Sequence, residues 1–188
     1  MLLFQLTVPS REGVPEYQAL KARVDRLVGE INGAYSTAGW VPVHYHYRSL
    51  PRRDLVALYR LARVCLVTSL KDGMNLVAKE FCACQVEAKG VLVLSEFAGA
   101  AAQLQRGALL VNPHDIEGMA DALCQAFRMG EAERRQRLEG MQEVLRQQDI
   151  FWWVDYYLRA ALGEVPEDFR PPKEYFPPMD LEDSWIDV

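Results

Sequence analysis

The chain has 188 residues, half of them apolar and a quarter charged, which is the size of one domain or of one domain with a tail. That much apolar surface offsets the ordering entropy of a core and excludes wholesale disorder. Lys and Arg number 21 against 26 Asp and Glu, a net charge of −5, so the basic excess that drives nucleic-acid affinity is lacking and no nucleic-acid partner is expected.

Elements follow one another in a βα rhythm. The first strand covers Leu2 to Val8. No apolar run reaches the ~18–20 residues of a membrane span, and this start has no basic region or small-residue cleavage site, so a cytoplasmic chain without membrane contact is expected. The first helix carries Val14, Tyr17, Leu20, Val24, Leu27, Val28 and Ile31 three or four apart, with Glu16, Lys21, Arg23, Asp25 and Glu30 opposite, and ends near Asn32-Gly33. A strand over Val41–Tyr47 follows, with His44 and His46 on one half-buried face. The next helix runs from Pro51 to Ala62, with Ser49 as its cap.

Val64–Leu70 is the third strand, and a helix opens after it near Met74 or Asn75. Val91–Phe97 is the fourth, followed by the small-residue turn Ala98–Ala102 into another helix. Ala108–Val111 is the fifth, and Asn112-Pro113-His114-Asp115 caps the helix after it. Glu131–Gln147 reads as a charged helix with i,i+4 pairs Glu131–Arg135 and Glu133–Arg137. Phe151–Leu162, with Trp152 and Trp153, reads as a last helix belonging to the core or to a docking seam. The expected fold is α/β, a three-layer Rossmann-like domain with a mainly parallel sheet over residues 1–162. Residues 163–188 form a proline-rich acidic tail. Cys65, Cys82, Cys84 and Cys124 are expected as buried free thiols. Cys82 and Cys84 point about 200° apart on a helix and form no metal site.

Ligands of an open parallel sheet bind beyond the carboxyl ends of its strands. The informative loop is Val67-Thr68-Ser69-Leu70-Lys71-Asp72-Gly73-Met74-Asn75. A strand there runs through Asp-Gly straight into a helix whose first amides have no intrahelical partner, an end that attracts a diphosphate. Glu80 lies about 9 Å along the helix from Met74, the reach from a diphosphate to a ribose diol. Asp72 would repel phosphate and suits sugar hydroxyls, while Gly73 lets the backbone approach a ligand. An ordinary loop has the same local pattern.

The string Asp72-Gly73-Met74-Asn75-Leu76-Val77-Ala78-Lys79-Glu80-Phe81 is accompanied by Gly90-Val91-Leu92-Val93-Leu94-Ser95-Glu96-Phe97-Ala98-Gly99-Ala100 and by Leu110-Val111-Asn112-Pro113. With Val8-Pro9-Ser10-Arg11, Glu30-Ile31-Asn32-Gly33 and Trp40-Val41-Pro42-Val43, these motifs closely resemble the trehalose-6-phosphate synthase family of glycosyltransferases over about residues 1–162. The resemblance implies the C-terminal, donor-binding half of a two-Rossmann-domain retaining enzyme that moves glucose from UDP-glucose to glucose 6-phosphate, with no cofactor and no metal. It implies that Asp72, the one catalytic position, holds glucose hydroxyls, and that the amides of Gly73, Met74 and Asn75 line the sugar and phosphate. Leu76 and Val77 would donate to the diphosphate, Glu80 would hold the ribose diol, and Arg11 would reach toward the acceptor phosphate. The sequence also has no Asp-x-Asp pair of the kind that carries a divalent ion for a sugar diphosphate.

The family's acceptor pocket, glycine-rich loop, cleft histidine and diphosphate-clamping Arg and Lys have no counterpart in this sequence. The expectation is therefore that the chain works with an N-terminal synthase half or a synthase subunit and does not transfer glucose alone. Two other functions remain open: a non-catalytic interaction or regulatory module of a synthase complex, and a synthase half using another acceptor such as glycerol 3-phosphate.

Overall fold

The computed structural model describes residues 2–164, in the order β1 (Leu3–Thr7), α1 (Pro15–Tyr35), β2 (Val43–Tyr47), α2 (Arg52–Leu61), β3 (Val64–Val67) and α3 (Leu76–Cys84). Then come β4 (Val91–Ser95), α4 (Ala101–Leu104), β5 (Leu109–Val111), α5 (Ile116–Arg128), α6 (Glu131–Gln147) and α7 (Ile150–Ala161). The expected proline-rich tail lies outside the described residues, apart from its first two positions. All strand pairings are parallel, and the strands form two ladders, β1-β2 and β3-β4-β5. Two units divide the chain between Leu55 and Val56, within α2.

In the second unit β4 is buried at every position, which is why its sequence up to Ser95 is an apolar run rather than an alternating one. Its side chains still alternate in direction. Leu92 and Leu94 join Phe81 and Cys82 of α3, Leu104 of α4, and Leu138 and Met141 of α6 in one core. Val91 and Val93 face the other way onto Val111, Ala126, Met119 and Leu123, the last three from α5. The sheet is thus covered on both faces, with α3, α4 and α6 on one side and α5 on the other. Half-buried Gln142 reinforces the first layer: its Nε2 donates to the carbonyls of Cys82 and Gln85 at 2.9 and 3.0 Å.

In the first unit Leu3 to Thr7 pair in register with Val43 to Tyr47. Asn32 extends this ladder sideways: its amide donates to the Val43 carbonyl at 2.9 Å and accepts from the Val43 amide at 3.0 Å. This pair of hydrogen bonds accounts for an Asn three residues before the end of α1, which continues past Gly33 to Tyr35. His46 stacks on Phe4 with ring centres 4.7 Å apart, a sheet-face role.

The structure corrects three expectations. No residue of α1 is buried, and Leu20 is 58% exposed, because the two strands of its unit are too narrow to cover a 21-residue helix. The helix α7 is not core: Phe151 is 79% exposed, and Trp152 and Trp153 pack along their own helix on Tyr156 and Tyr157. Of the four cysteines Cys82 is buried, Cys65 and Cys84 are half-buried, and Cys124 is exposed, because it lies on the face of α5 turned away from Ala126. Among the described residues no helix is long and apolar enough to cross a membrane.

Candidate functional site

The turn after β3 is built around Asp72. Its carbonyl accepts from the Gly99 amide at 2.8 Å and its amide donates to the Phe97 carbonyl at 3.3 Å. These bonds extend the β3-β4 pairing one bridge further, Asp72 with Ala98, and so carry the turn to the carboxyl end of the sheet. Ser95 ties the same two loops together: its hydroxyl donates to the Ser69 carbonyl at 2.7 Å and accepts from the Phe97 amide at 3.1 Å. Gly99 is required by this contact, since a Cβ there would lie 2.2 Å from the Gly73 carbonyl oxygen.

The Asp72 carboxylate turns back over its own loop. Oδ1 accepts from the Met74 amide at 3.0 Å and Oδ2 from the Asn75 side chain at 2.9 Å. The Met74 amide bond, opposed by desolvation and aided by Asn75, holds this carboxyl below its ordinary range. Each oxygen has thus accepted one side-on donor. An ionised carboxylate has about four acceptor positions, so capacity remains for hydroxyls.

Asn75 decides where the helix begins. Its φ of 70° is left-handed, a conformation that Asn tolerates better than other side-chain-bearing residues. Its Oδ1 accepts from the Ala78 amide at 2.9 Å, an N-cap bond, while its Nδ2 serves Asp72. The first helical residue is therefore Leu76, one or two positions beyond the expected opening, because Met74 and Asn75 are committed to the Asp72 turn. The amides of Leu76 and Val77 occupy the first two helical positions, which have no intrahelical acceptor. Both residues are exposed, at 59% and 45%.

Glu80 sits four residues beyond Leu76, about one turn or 6 Å along the helix and on the same face. It is exposed, and its Oε2 accepts from the Tyr59 hydroxyl at 3.0 Å. Burial, then the Glu80 carboxylate, push the Tyr59 hydroxyl above the ordinary phenol range, so it stays a donor. An open depression of about 430 Å³ adjoins the turn, walled by Lys71, Asp72, Gly73, Phe97, Gly99 and Gln105 among others. Asp72 and Gly73 line it, whereas Leu76, Val77 and Glu80 lie outside it on the open start of α3.

Arg11 belongs to the first unit. It takes φ 51°, and its guanidinium donates to the Tyr17 hydroxyl at 3.1 Å and lies over the Tyr17 ring at 5.5 Å. The residues that sequence reasoning missed are Tyr59, Ser95 and the steric demand at Gly99. Tyr59 lies near the end of α2. Its pairing with Glu80 spans 21 residues and has no local signal.

A parallel sheet covered on both faces, with a capped helix start at the carboxyl end of its first strand, defines a Rossmann-like ligand-binding unit. The sequence pattern of glycosyltransferase family 20 matches residues 1–162, and the chain belongs to that family, whose members here are trehalose-6-phosphate synthases. The bifunctional trehalose-6-phosphate synthase/phosphatase of Thermoproteus tenax is 49% identical over 158 residues, 84% of this chain and 22% of that protein. Among solved structures, the UDP-forming α,α-trehalose-phosphate synthase of Burkholderia xenovorans, in complex with glucose-6-phosphate, superposes with a TM-score of 0.82 at 43% identity, covering 86% of this chain and 36% of that one. An E. coli protein of the trehalose-6-phosphate system, bound with UDP-2-fluoro glucose, gives a TM-score of 0.82 at 41% identity, covering 88% and 36%. The chain therefore spans about a third or less of the length of these relatives.

Proposed function

We propose that this chain is the nucleotide-sugar-binding half of an α,α-trehalose-phosphate synthase, holding UDP-glucose for transfer of glucose to glucose 6-phosphate. The observation that carries this is the start of α3: two amides without helical acceptors, on the exposed residues Leu76 and Val77, followed one turn later and on the same face by a carboxylate. A diphosphate meets the amides and the positive helix end, and the ribose diol meets Glu80. Asp72, with acceptor capacity left on both oxygens, takes glucose hydroxyls from the depression it lines, beside the Gly73 backbone. The amides of Met74 and Asn75, next in the same loop, face the sugar and phosphate, with the Met74 amide shared with Asp72. Negative charge developing on the departing diphosphate is met by the preorganised amides of Leu76 and Val77.

Residues 1–162 act in this proposal as one donor domain in a cytoplasmic enzyme. Arg11 serves the acceptor phosphate, and an N-terminal synthase half or subunit supplies the rest of the acceptor site. Family membership and the two ligand-bound relatives support the choice of substrates. Calorimetry with UDP and UDP-glucose tests it: the intact chain is expected to bind, and Glu80→Ala to bind about tenfold more weakly, the loss of a charge-assisted hydrogen bond. Equal heats from the two proteins would refute it.

The exposed apolar residues of α7 favour a second function, a non-catalytic module that docks on a synthase subunit. Capture of such a subunit by a chain that gives no heat with UDP is the result it requires.

A further inference from the structure

Tyr59 is fastened to α3 at both ends. Its hydroxyl donates to Glu80 Oε2 at 3.0 Å, and its carbonyl accepts from Gln85 Nε2 at 2.5 Å. The same Gln85 nitrogen reaches the Ala62 carbonyl at 3.0 Å, and Gln85 is only 2% exposed, closing the far end of α3. Its own carbonyl accepts from Gln142 at 3.0 Å. The Tyr59 ring packs against the main core, so its hydroxyl is delivered by a rigid frame. Glu80, by contrast, stands on an exposed helix face where a long side chain otherwise samples several rotamers.

A frame seated on the core that ends in one hydroxyl on one exposed carboxylate does more than join two helices. It occupies Oε2 from one side and leaves Oε1, with a second lone pair on Oε2, open to a pair of vicinal hydroxyls. We infer that Tyr59 is a positioning residue that presets the Glu80 carboxylate for a ribose diol and thereby sets the site's preference for ribonucleotides over deoxyribonucleotides. This rests on the donor-site function proposed above for Glu80.

The test is calorimetric titration of the full 188-residue chain with UDP and with 2′-deoxy-UDP, for the unmutated protein, Tyr59→Phe, Glu80→Ala and the double variant. The Phe ring keeps the core contact, and thermal unfolding of each variant verifies the fold. Tyr59→Phe is expected to weaken UDP about five- to tenfold, the cost of ordering a freed Glu side chain. Its effect on 2′-deoxy-UDP is expected to stay under about twofold, since that ligand has lost part of the contact Glu80 makes. In the Glu80→Ala background the Tyr59→Phe change is expected to add nothing. Equal weakening of both nucleotides, or a further loss in the double variant, would reduce Tyr59 to a structural tie and overturn the inference alone. An unmutated chain that does not bind UDP would overturn the donor-site function, and the inference with it.

Discussion

The Asp72 carboxylate holds its loop with two accepted hydrogen bonds, and its lowered pKa ties that hold to pH. The folded value lies below the ordinary one of 3.8, so the contribution to stability is fully present above about pH 4 and is lost as pH falls through the folded value. Urea unfolding of Asp72→Asn against the unmutated chain is expected to show a constant stability gap from pH 5 to 8 that narrows below pH 4. The thiols behave in the opposite sense. Burial pushes Cys65 and Cys82 up to about 12 from 9.0, so their contribution is present below pH 9 and declines as pH rises toward 12. Iodoacetamide at pH 8, followed by mass spectrometry, is expected to label exposed Cys124 on the native chain and Cys65 and Cys82 only after unfolding. Composition suggested burial for all four, and Cys124 shows the limit of that inference: on a surface helix, phase decides burial, and a one-position error in phase turns a side chain outward.

Within elements, the two glycines of the site have different work. Gly73 has open space where a Cβ would stand, while Gly99 has the Gly73 carbonyl 2.2 Å away. Gly99→Ala is expected to cost about 1–3 kcal/mol by forcing two backbones apart, with loss of nucleotide binding. Gly73→Ala is expected to stay within about 0.5 kcal/mol in stability. Chemical denaturation of both variants checks the contrast. The strands and most helices were legible because β4 is largely a continuous apolar run, α5 carries its Asp115 cap openly and α6 carries its i,i+4 charge pairs openly. The start of α3 was misplaced because Asn75 caps from a left-handed backbone. An Asp-Gly-x-Asn string shows the turn, but not which residue donates to which. For amphipathic α1, and for the core alternative at aromatic α7, periodicity reports which face is apolar and not what covers it.

At the scale of the molecule, Arg11 belongs to the first unit, and Asp72 through Glu80 belong to the second with the three-layer sheet that positions them. The chain covers 36% of the Burkholderia synthase, so its proposed part is donor recognition. Asp72, Gly73, the amides of α3 and Glu80 were legible in one ungapped string. Tyr59, Ser95 and Gly99 were not, because each acts through a partner more than twenty residues away in sequence. The most direct measurement is a 15N-resolved NMR titration of the whole chain with UDP. Saturable shifts of the Leu76 and Val77 amides, lost with uridine lacking phosphate, are the expected result. Shifts confined to other residues, with those two amides unmoved at saturation, would contradict a diphosphate held at the start of α3.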